Sequence, residues 1–244
     1  MLTYLKVVEY VLSGPSIPKM LGVEDEVAHT SEAGLVPVIV MDGKLKIMSM
    51  GLLAGVSQED AVVWRGPKKQ SMISQLLKEV NWDELDCLVI DTPPGTSDEH
   101  LAMVKTLREI DVMKKTHAVL VTTPQMASLQ DVGREINFCQ KTQINMIGLV
   151  ENMSGFVCPN CSECSNLFNS GKFIAKDKIL NRFKGGGAKL AEKYDIEFMG
   201  TIPIDPNFGL SLDKGADFVK EFNTTTTAKS IGSIVGKVQN KLIF

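Results

Sequence analysis

The stretch Leu88-Val-Ile-Asp91-Thr-Pro-Pro-Gly95-Thr-Ser-Asp98 decides the fold of this 244-residue chain. It is an apolar run that ends in an aspartate and continues into a glycine-containing turn. Open α/β sheets bind their ligands at the carboxyl ends of parallel strands, and a carboxylate there can hold the Mg²⁺ of a nucleotide. We therefore predict that Asp91 ends a buried strand and serves a catalytic site. The alternative is an aspartate that only caps a turn.

Short β-branched runs alternate with helix-period segments from residue 86 onward. This alternation predicts an α/β fold with a mostly parallel sheet flanked by helices. Thr96, with Glu99 three residues later, predicts a capping box at the start of the first helix. The predicted strands are Cys87–Ile90, His117–Val121, Met146–Val150 and Ile196–Ile202, and the predicted helices lie around Leu101–Leu107, Leu129–Cys139 and Ala228–Val238.

The dipeptide Asp42-Gly43 lies between two apolar runs, Leu35–Val40 and Leu45–Met50. It supplies the positive φ angles of a tight turn, so we predict an antiparallel hairpin. Met72–Val80 has one apolar face at helical spacing and predicts the helix that follows the hairpin. Residues 1–244 contain no internal repeat and no Pro/Ser-rich linker, so we predict a single domain.

The composition is that of an ordinary globular protein, with 44% hydrophobic and 23% charged residues. The net charge of −3 has the wrong sign for binding nucleic acid or an anionic membrane, so we expect neither partner. The longest apolar run, Leu35–Met41, is far shorter than the roughly 18 to 20 residues that span a bilayer. The first residues have no basic leader and no cleavage site, so we expect a cytoplasmic protein.

The segment Cys158-Pro-Asn-Cys161-Ser-Glu-Cys164 is the second one that can carry chemistry. Two thiolates three residues apart can bind one metal centre, and clustered cysteines in a reducing compartment favour metal ligation over disulfides. A closed tetrahedral site needs four ligands, and two chains related by a two-fold axis would supply two cysteines each. The alternatives are a structural zinc site and three plain reduced cysteines.

Two further polar segments, Glu151-Asn152-Met-Ser154 and Thr201-Ile-Pro203-Ile-Asp205, follow predicted strands. Residues at such strand ends can contact a base or a ribose, and the alternative for each segment is a turn.

The segment Trp64-Arg65-Gly-Pro67 fits a helix start with its proline in the first turn, or a contact to phosphates. The histidines share no spacing with the cysteines and are interpreted as structural or surface residues: His29, His100 and His117.

These motifs together resemble the Mrp/ApbC group of MinD-like P-loop ATPases. The resemblance covers residues 13 to 222, and the string from Glu151 to Cys164 is the most specific part of it. The motifs that carry it are Gly14-Pro-Ser-Ile-Pro18, Trp64–Pro67, Asp91–His100, Thr122-Thr-Pro-Gln125, Glu151-Asn-Met-Ser-Gly-Phe156, Cys158-Pro-Asn-Cys161 and Pro203-Ile-Asp205.

The resemblance implies a dimeric scaffold that holds a labile [4Fe-4S] cluster between its subunits and passes it to apo iron-sulfur proteins. The second subunit would be a like chain or a larger paralogous ATPase. The resemblance further implies that Cys158 and Cys161 ligate the cluster and that Asp91 is the Walker B carboxylate near Mg²⁺ and ATP. Asn152 and the Pro203 to Asp205 stretch would lie near the adenine. Cys164 matches a further cysteine of the family.

The sequence also departs from this family. No G-x-x-x-x-G-K-S/T phosphate loop occurs in residues 1–244, and Gly185–Lys189 has the spacing of a helix start instead. Residues 1–12 are atypical, with Val11 at the place of a family carboxylate, and residues 172–184 are interpreted as an insertion. A truncated gene model with a retained insert would account for these departures. The alternative function is a partner subunit that binds the cluster or the paralogue but no nucleotide.

The family's first strand, which carries the phosphate loop, should be central in the sheet. Its loss would leave the hydrogen-bonding edges of two neighbouring strands open, unless Val7–Leu12 fills the gap.

Overall fold

Residues 5–9, 16–53, 66–83, 85–157, 164–165 and 186–242 are described by the computed structural model. They fall into two units, Met1–Lys114 with Leu212–Ala216, and Lys115–Ser211 with Asp217–Phe244. Each unit has its own mostly parallel sheet and its own helices, which confirms the predicted α/β class. The single domain remains a prediction.

The first unit is built on a four-stranded sheet in the order β4-β5-β1-β6. Strand β1 pairs in parallel with both β5 and β6, whereas β4 pairs antiparallel with β5. The elements of this unit are β1 (Leu5–Glu9), α1 (Ile17–Met20), β2 (His29–Ser31), β3 (Gly34–Val36), β4 (Val38–Val40), β5 (Leu45–Ser49), α2 (Gly66–Lys78), β6 (Cys87–Asp91) and α3 (Asp98–Glu109).

The predicted hairpin is present, but only its second half is as long as expected. Strands β4 and β5 pair Val40 with Leu45, and the turn between them has positive φ at Met41, Asp42 and Gly43. Pro37 lies between β3 and β4, and proline has no N–H to donate to a sheet ladder. The predicted strand Leu35–Val40 is therefore divided at Pro37. Its first part, β3, pairs with β2 in a separate two-stranded sheet, and its second part, β4, pairs with β5.

The second unit is built on a three-stranded parallel sheet in the order β10-β8-β7, with β9 pairing antiparallel to the end of β8. Its predicted strands and helices are all present, and the sequence after Gly185 begins a helix as expected. The remaining elements are β7 (His117–Thr122), α4 (Met126–Thr142), β8 (Asn145–Val157), β9 (Cys164–Ser165), α5 (Gly186–Lys193), β10 (Phe198–Ile204), α6 (Pro206–Asp213), α7 (Phe218–Glu221) and α8 (Thr226–Leu242).

Each unit has its own apolar core. Complete burial of a leucine, isoleucine, valine or methionine side chain stabilises the fold by about 1.5 to 3 kcal/mol. In the first unit the fully buried side chains are Ile47, Met48, Leu52, Ile73 and Leu76. In the second unit one core cluster lies against α4 and α5 and contains Leu120, Leu129, Val132, Ile136, Leu149 and Leu190. Another lies against α8 and contains Ile147, Val150, Met199 and Ile234.

Strands β6 and β7 each have one open edge among the residues that the structure describes. Strand β6 pairs only with β1, and β7 pairs only with β8. Val89 of β6 and Val121 of β7 are 43% and 54% exposed, which is unusual because parallel sheets are normally covered on both faces. Val7 to Glu9, the first part of the proposed Val7–Leu12 strand, lie in β1, which pairs with β5 and β6, and residues 10–12 lie outside the described part.

Two sequence predictions of local structure need correction. The N-cap of α3 is Ser97, not Thr96, and His100 rather than Glu99 completes the capping box. Strand β8 continues past Val150 to Val157, because β9 pairs with Phe156 and Val157. Glu151 to Ser154 therefore lie within the strand and not after it. The insertion proposed for residues 172–184 lies outside the described residues.

None of the described helices is both long enough and apolar enough to cross a lipid bilayer.

Candidate functional site

The carboxyl ends of β7 and β10 lie beside the second half of β8 in the second unit. Thr122 of β7 pairs in register with Glu151 of β8, and Asn152 of β8 pairs with Ile202 of β10. The sheet therefore brings the predicted residues Asn152 and Pro203 to the same edge. Open α/β sheets place their ligands at this edge.

Glu151 joins this edge to the start of α5. Its side chain is buried, and its two carboxylate oxygens accept hydrogen bonds from Ser154 Oγ at 2.6 Å and from the backbone nitrogen of Gly187 at 2.5 Å. Gly187 lies in the first turn of α5, where backbone N–H groups have no partner within the helix and a negative charge is favourable. Glu151 thus fixes the glycine-rich helix start against β8.

Thr122 and Thr123 shape the end of β7. Thr122 Oγ1 lies 3.1 Å from Ser128 Oγ, and Ser128 Oγ accepts a hydrogen bond from the backbone nitrogen of Thr123 at 3.0 Å. The hydroxyl of Thr123 is itself buried and has no hydrogen-bond partner within the described residues. A buried hydroxyl without a partner is rare in folded proteins and calls for an explanation, such as a bound water or ligand.

Asn152 and Asp205 differ in what their side chains can still bind. Asn152 Oδ1 accepts from the backbone nitrogen of Met153 at 2.9 Å, and its amide nitrogen donates to no described residue. Asp205 is buried, and its two oxygens accept from the backbone nitrogen of Asn207 at 3.0 Å and from Thr227 Oγ1 at 2.7 Å. The amide of Asn152 is thus available to a ligand, whereas Asp205 serves the fold by capping α6 and holding α8. Pro203, two residues before Asp205, is buried.

Asp91 belongs to the first unit and lies at the carboxyl end of β6, as predicted. Its Cα position pairs with that of Glu9 on β1. Partial burial raises the pKa of the Asp91 carboxyl above its usual value, and a hydrogen bond from the Thr92 backbone opposes part of that rise. Desolvation disfavours the carboxylate, so a nearby cation would stabilise it.

His100 holds the turn that follows Asp91. Its Nδ1 accepts a hydrogen bond from the backbone nitrogen of Ser97 at 3.2 Å and lies 3.1 Å from Ser97 Oγ. The ring also bonds the backbone of Pro93. Burial lowers the pKa of His100, while the Glu99 charge and the Pro93 bond act in the opposite direction. A neutral imidazole therefore connects both ends of the Thr92 to Ser97 turn.

Cys158 and Cys161 lie outside the described residues, but the strands on either side of them are described. Val157, the last residue of β8, pairs in antiparallel register with Cys164 of β9. Cys158 and Cys161 therefore lie, in the sequence, between β8 and β9, and Cys164 begins β9. Within the described part of the chain, no cluster of three or more His, Cys, Asp or Glu residues could hold a metal ion.

Sequence reasoning missed Glu151, Thr123 and His100. It gave Glu151 only as part of a segment that contacts a base or forms a turn, and His100 as a structural or surface residue. The carboxylate directly after the apolar run Met146–Val150 was a usable signal for Glu151. The buried hydroxyl of Thr123 left no signal in the sequence, because its burial depends on how β7 and α4 pack.

Comparison with known proteins agrees with this architecture. The profile of the NUBPL iron-transfer P-loop NTPase family, in the ParA group, matches residues 5–239. The chain is 48% identical over 231 residues to the cytosolic Fe-S cluster assembly factor NUBP2 homolog of Monosiga brevicollis, covering 95% of this chain and 75% of that protein. It is 46% identical over 228 residues to cytosolic Fe-S cluster assembly factor NUBP2 of Gallus gallus, covering 93% and 77% of the two chains.

Solved structures show the same fold. A nucleotide-binding protein from Archaeoglobus fulgidus in complex with ADP superposes with a TM-score of 0.66 at 33% identity, covering 87% of this chain and 74% of that one. The cell division ATPase MinD of Pyrococcus furiosus gives a TM-score of 0.60 at 17% identity, covering 98% and 86%. The second likeness concerns the fold alone. The chain belongs to the NUBPL iron-transfer P-loop NTPase family, with the fold of the MinD-like ATPases.

Proposed function

We propose that this protein is an ATP-dependent scaffold that assembles a labile [4Fe-4S] cluster and transfers it to cytosolic and nuclear apo-proteins. The single observation that carries the proposal is the Cys-Pro-Asn-Cys segment on the antiparallel β8–β9 connection, in a chain of this family. The curated relatives named above are cytosolic Fe-S cluster assembly factors, which supports the same role and a cytoplasmic location here.

Cys158 and Cys161 are the proposed ligands. Thiolates are the ordinary ligands of [4Fe-4S] clusters, and such a cluster takes four of them. One chain supplies two from this pair, so the cluster would lie on the two-fold axis of a dimer, either with a second copy or with a larger paralogous ATPase. Each chain alone would hold only two of the four ligands, so the cluster would be released when the subunits separate. Such a cluster is cargo to be transferred and not a permanent cofactor.

Residues near the carboxyl ends of the strands are proposed to bind the nucleotide and its Mg²⁺. The unpartnered hydroxyl of Thr123 follows β7, and the available amide of Asn152 lies in the second half of the neighbouring strand β8, where a nucleotide base or ribose would find polar partners. Asp91, a half-buried carboxylate with a raised pKa, is the proposed Mg²⁺ ligand. The backbone around Pro203 and Asp205 is proposed to border the adenine, because both Asp205 oxygens already hold the fold.

A second function is a partner subunit that binds cluster or paralogue without nucleotide. It is favoured by the absence of a G-x-x-x-x-G-K-S/T pattern in residues 1–244, since the backbone N–H groups of that loop normally cradle the phosphates. A titration with a fluorescent ATP analogue, with and without Mg²⁺, separates the two. Saturable Mg²⁺-dependent binding that is lost in Asp91→Asn supports the ATPase scaffold, and no binding supports the partner subunit.

The cluster assignment is tested by anaerobic reconstitution with iron and sulfide. We expect a brown species that absorbs near 400 nm, at about one four-iron cluster per dimer. The double variant Cys158→Ser/Cys161→Ser should lose it, while the matched control Cys87→Ser, at the half-buried start of β6, should keep it. Equal iron and sulfide in the double variant would refute the ligand assignment. Stoichiometric zinc in place of a cluster after anaerobic purification would identify a structural zinc site instead.

A further inference from the structure

A groove between β10 and α8 stands apart from the strand ends and the cysteines. It has a volume of about 390 Å³ and is open along one side of α8. Its polar wall follows one side of α8, where Thr226, Ser230, Ser233 and Lys237 recur at intervals of three or four residues and Lys229 lies beside Ser230. All of its lining residues belong to the second unit, so the groove is complete within one unit.

The groove is basic and its donors are largely unused. Two lysines and no carboxylate line it. Lys237 Nζ donates to the backbone oxygen of Met199 at 2.7 Å, whereas Lys229 makes no side-chain bond to any described residue. The neighbouring acid Glu197 is already paired with Lys241 at 2.7 Å, which lowers the pKa of its carboxyl. The charge of Lys237 also lowers the pKa of Glu197, whereas no described carboxylate pairs with Lys229.

The floor of the groove is suited to a polypeptide chain. Met199, Gly200 and Ile234 provide an apolar base, and β10 is the terminal strand of its sheet in the described part of the chain. Lys237 covers one backbone carbonyl of that strand. Lysine side chains are one of the devices by which proteins protect a strand edge from unwanted pairing. An incoming chain can take over that carbonyl and leave the ammonium group free to meet an acidic side chain.

The spacing of the two lysines indicates which acidic ligand fits. They are eight positions apart on α8, which corresponds to about 12 Å along the helix axis. Two acidic side chains at a matching separation can each contact one of these lysines. In an extended chain, which rises about 3.3 Å per residue, side chains four positions apart are about 13 Å apart and point to the same side. The groove thus matches two acidic residues separated by three others.

We propose that this groove is a docking site for an extended acidic segment of a partner protein, in which two carboxylates four positions apart contact Lys229 and Lys237. None of the groove's lining residues is among those proposed to hold the cluster or the nucleotide, so the docking site does not rest on the proposed function.

The test is fluorescence anisotropy on the full chain with a labelled Val/Thr-rich peptide that carries two glutamates separated by three residues. We expect each of Lys229→Gln and Lys237→Gln to weaken binding about two- to fivefold, as for single exposed ion pairs, and the double variant to multiply the two losses. Added salt should weaken binding as well. The charge-matched control Lys220→Gln, on the exposed side of α7, should bind like the parent.

Three results would overturn the proposal. The double lysine variant could bind the peptide as the parent does. A peptide of the same composition with adjacent glutamates could bind equally well, which would remove the spacing argument. Inorganic tripolyphosphate or a single-stranded oligonucleotide could bind with the same lysine dependence while the peptide does not, which would assign the groove to phosphate chains. Lys229→Gln removes no bond within the described fold, so its loss of binding cannot be ascribed to misfolding.

Discussion

The imidazole Nδ1 of His100 accepts a hydrogen bond from the backbone nitrogen of Ser97, three residues before it, and so closes the turn that begins at Asp91. The contact is a capping box in which histidine takes the place usually held by glutamate or glutamine. It links the start of α3 to the strand end that carries the proposed Mg²⁺ ligand.

Replacing His100 by alanine should lower the free energy of unfolding by about 0.5 to 2 kcal/mol, because the Ser97 N–H loses its partner. His100→Gln should retain most of the stability, since glutamine at this position can reach the same N–H. Urea unfolding followed by circular dichroism measures both. Leu101→Ala, at an exposed position on the same helix, is the control and should change little. Equal stability of the alanine and glutamine variants would show that the ring acts by packing alone.

The same contact predicts a pH dependence. Burial holds the pKa of His100 below its ordinary 6.5 in the native state. The unfolded chain therefore binds the proton more readily, so the free energy of unfolding is unaffected well above pH 6.5 and falls as the pH drops through that value. Unfolding curves at a series of pH values should show this decline in the parent and a smaller decline in His100→Gln. Parallel curves for the two proteins would mean that other groups cause the decline.

Gly187 should not tolerate a side chain. A Cβ there would lie 2.9 Å from Leu149 Cδ2, closer than real Cβ atoms come to another atom, and a tight 3.1 Å from Thr122 Cγ2. We expect Gly187→Ala to cost about 1 to 3 kcal/mol of stability through overpacking. Gly232→Ala, in α8 with open space around it, should instead stabilise the protein by about 0.5 to 1 kcal/mol. Thermal unfolding of the two variants should therefore shift in opposite directions. A shift in the same direction would contradict the packing at the start of α5.

The hydroxyl of Thr227 supports Asp205 inside the second unit. Thr227 is fully buried, and Thr227→Val removes the donor at 2.7 Å while preserving the shape of the side chain. The carboxylate loses a buried partner, so we expect a loss of about 1 to 3 kcal/mol. Thr226→Val, one residue earlier and exposed, is the matched control and should stay within about 0.5 kcal/mol of the parent. Chemical denaturation measures the free energy of unfolding of both variants. Equal losses in the two would show that the hydrogen bond from Thr227 to Asp205 does not stabilise the fold.

Cys139 should be almost unreactive in the folded protein. Burial, helped by the charge of Glu135, raises the pKa of its thiol to about 11. At pH 8 only about one molecule in a thousand would then carry the reactive thiolate. Alkylation with iodoacetamide, followed by peptide mass spectrometry, should leave Cys139 unmodified in the native protein and modify it in urea. Equally fast labelling in both conditions would show that α4 opens readily.

The α/β class and most of the strands were predictable from sequence, because β-branched runs such as Cys87–Asp91 and His117–Thr122 are local features. The ends of elements were less predictable. Ser97 rather than Thr96 caps α3, and the choice depends on where the His100 ring packs. Among site residues, Asp91 lies at its strand end as expected, whereas Asn152 lies within β8, because β8 extends to Val157. The role of Asp205 depends on Thr227, a partner distant in sequence.

The open edges of β6 and β7 have a consequence for how this chain behaves in concentrated solution. Each edge offers a row of backbone donors and acceptors beside exposed valines, and such a strand is a template on which another copy can add by hydrogen bonding. Self-association through these edges uses the backbone, and the net charge of −3 shared by all copies opposes it. Covering these two strands would therefore reduce the tendency of the protein to self-associate.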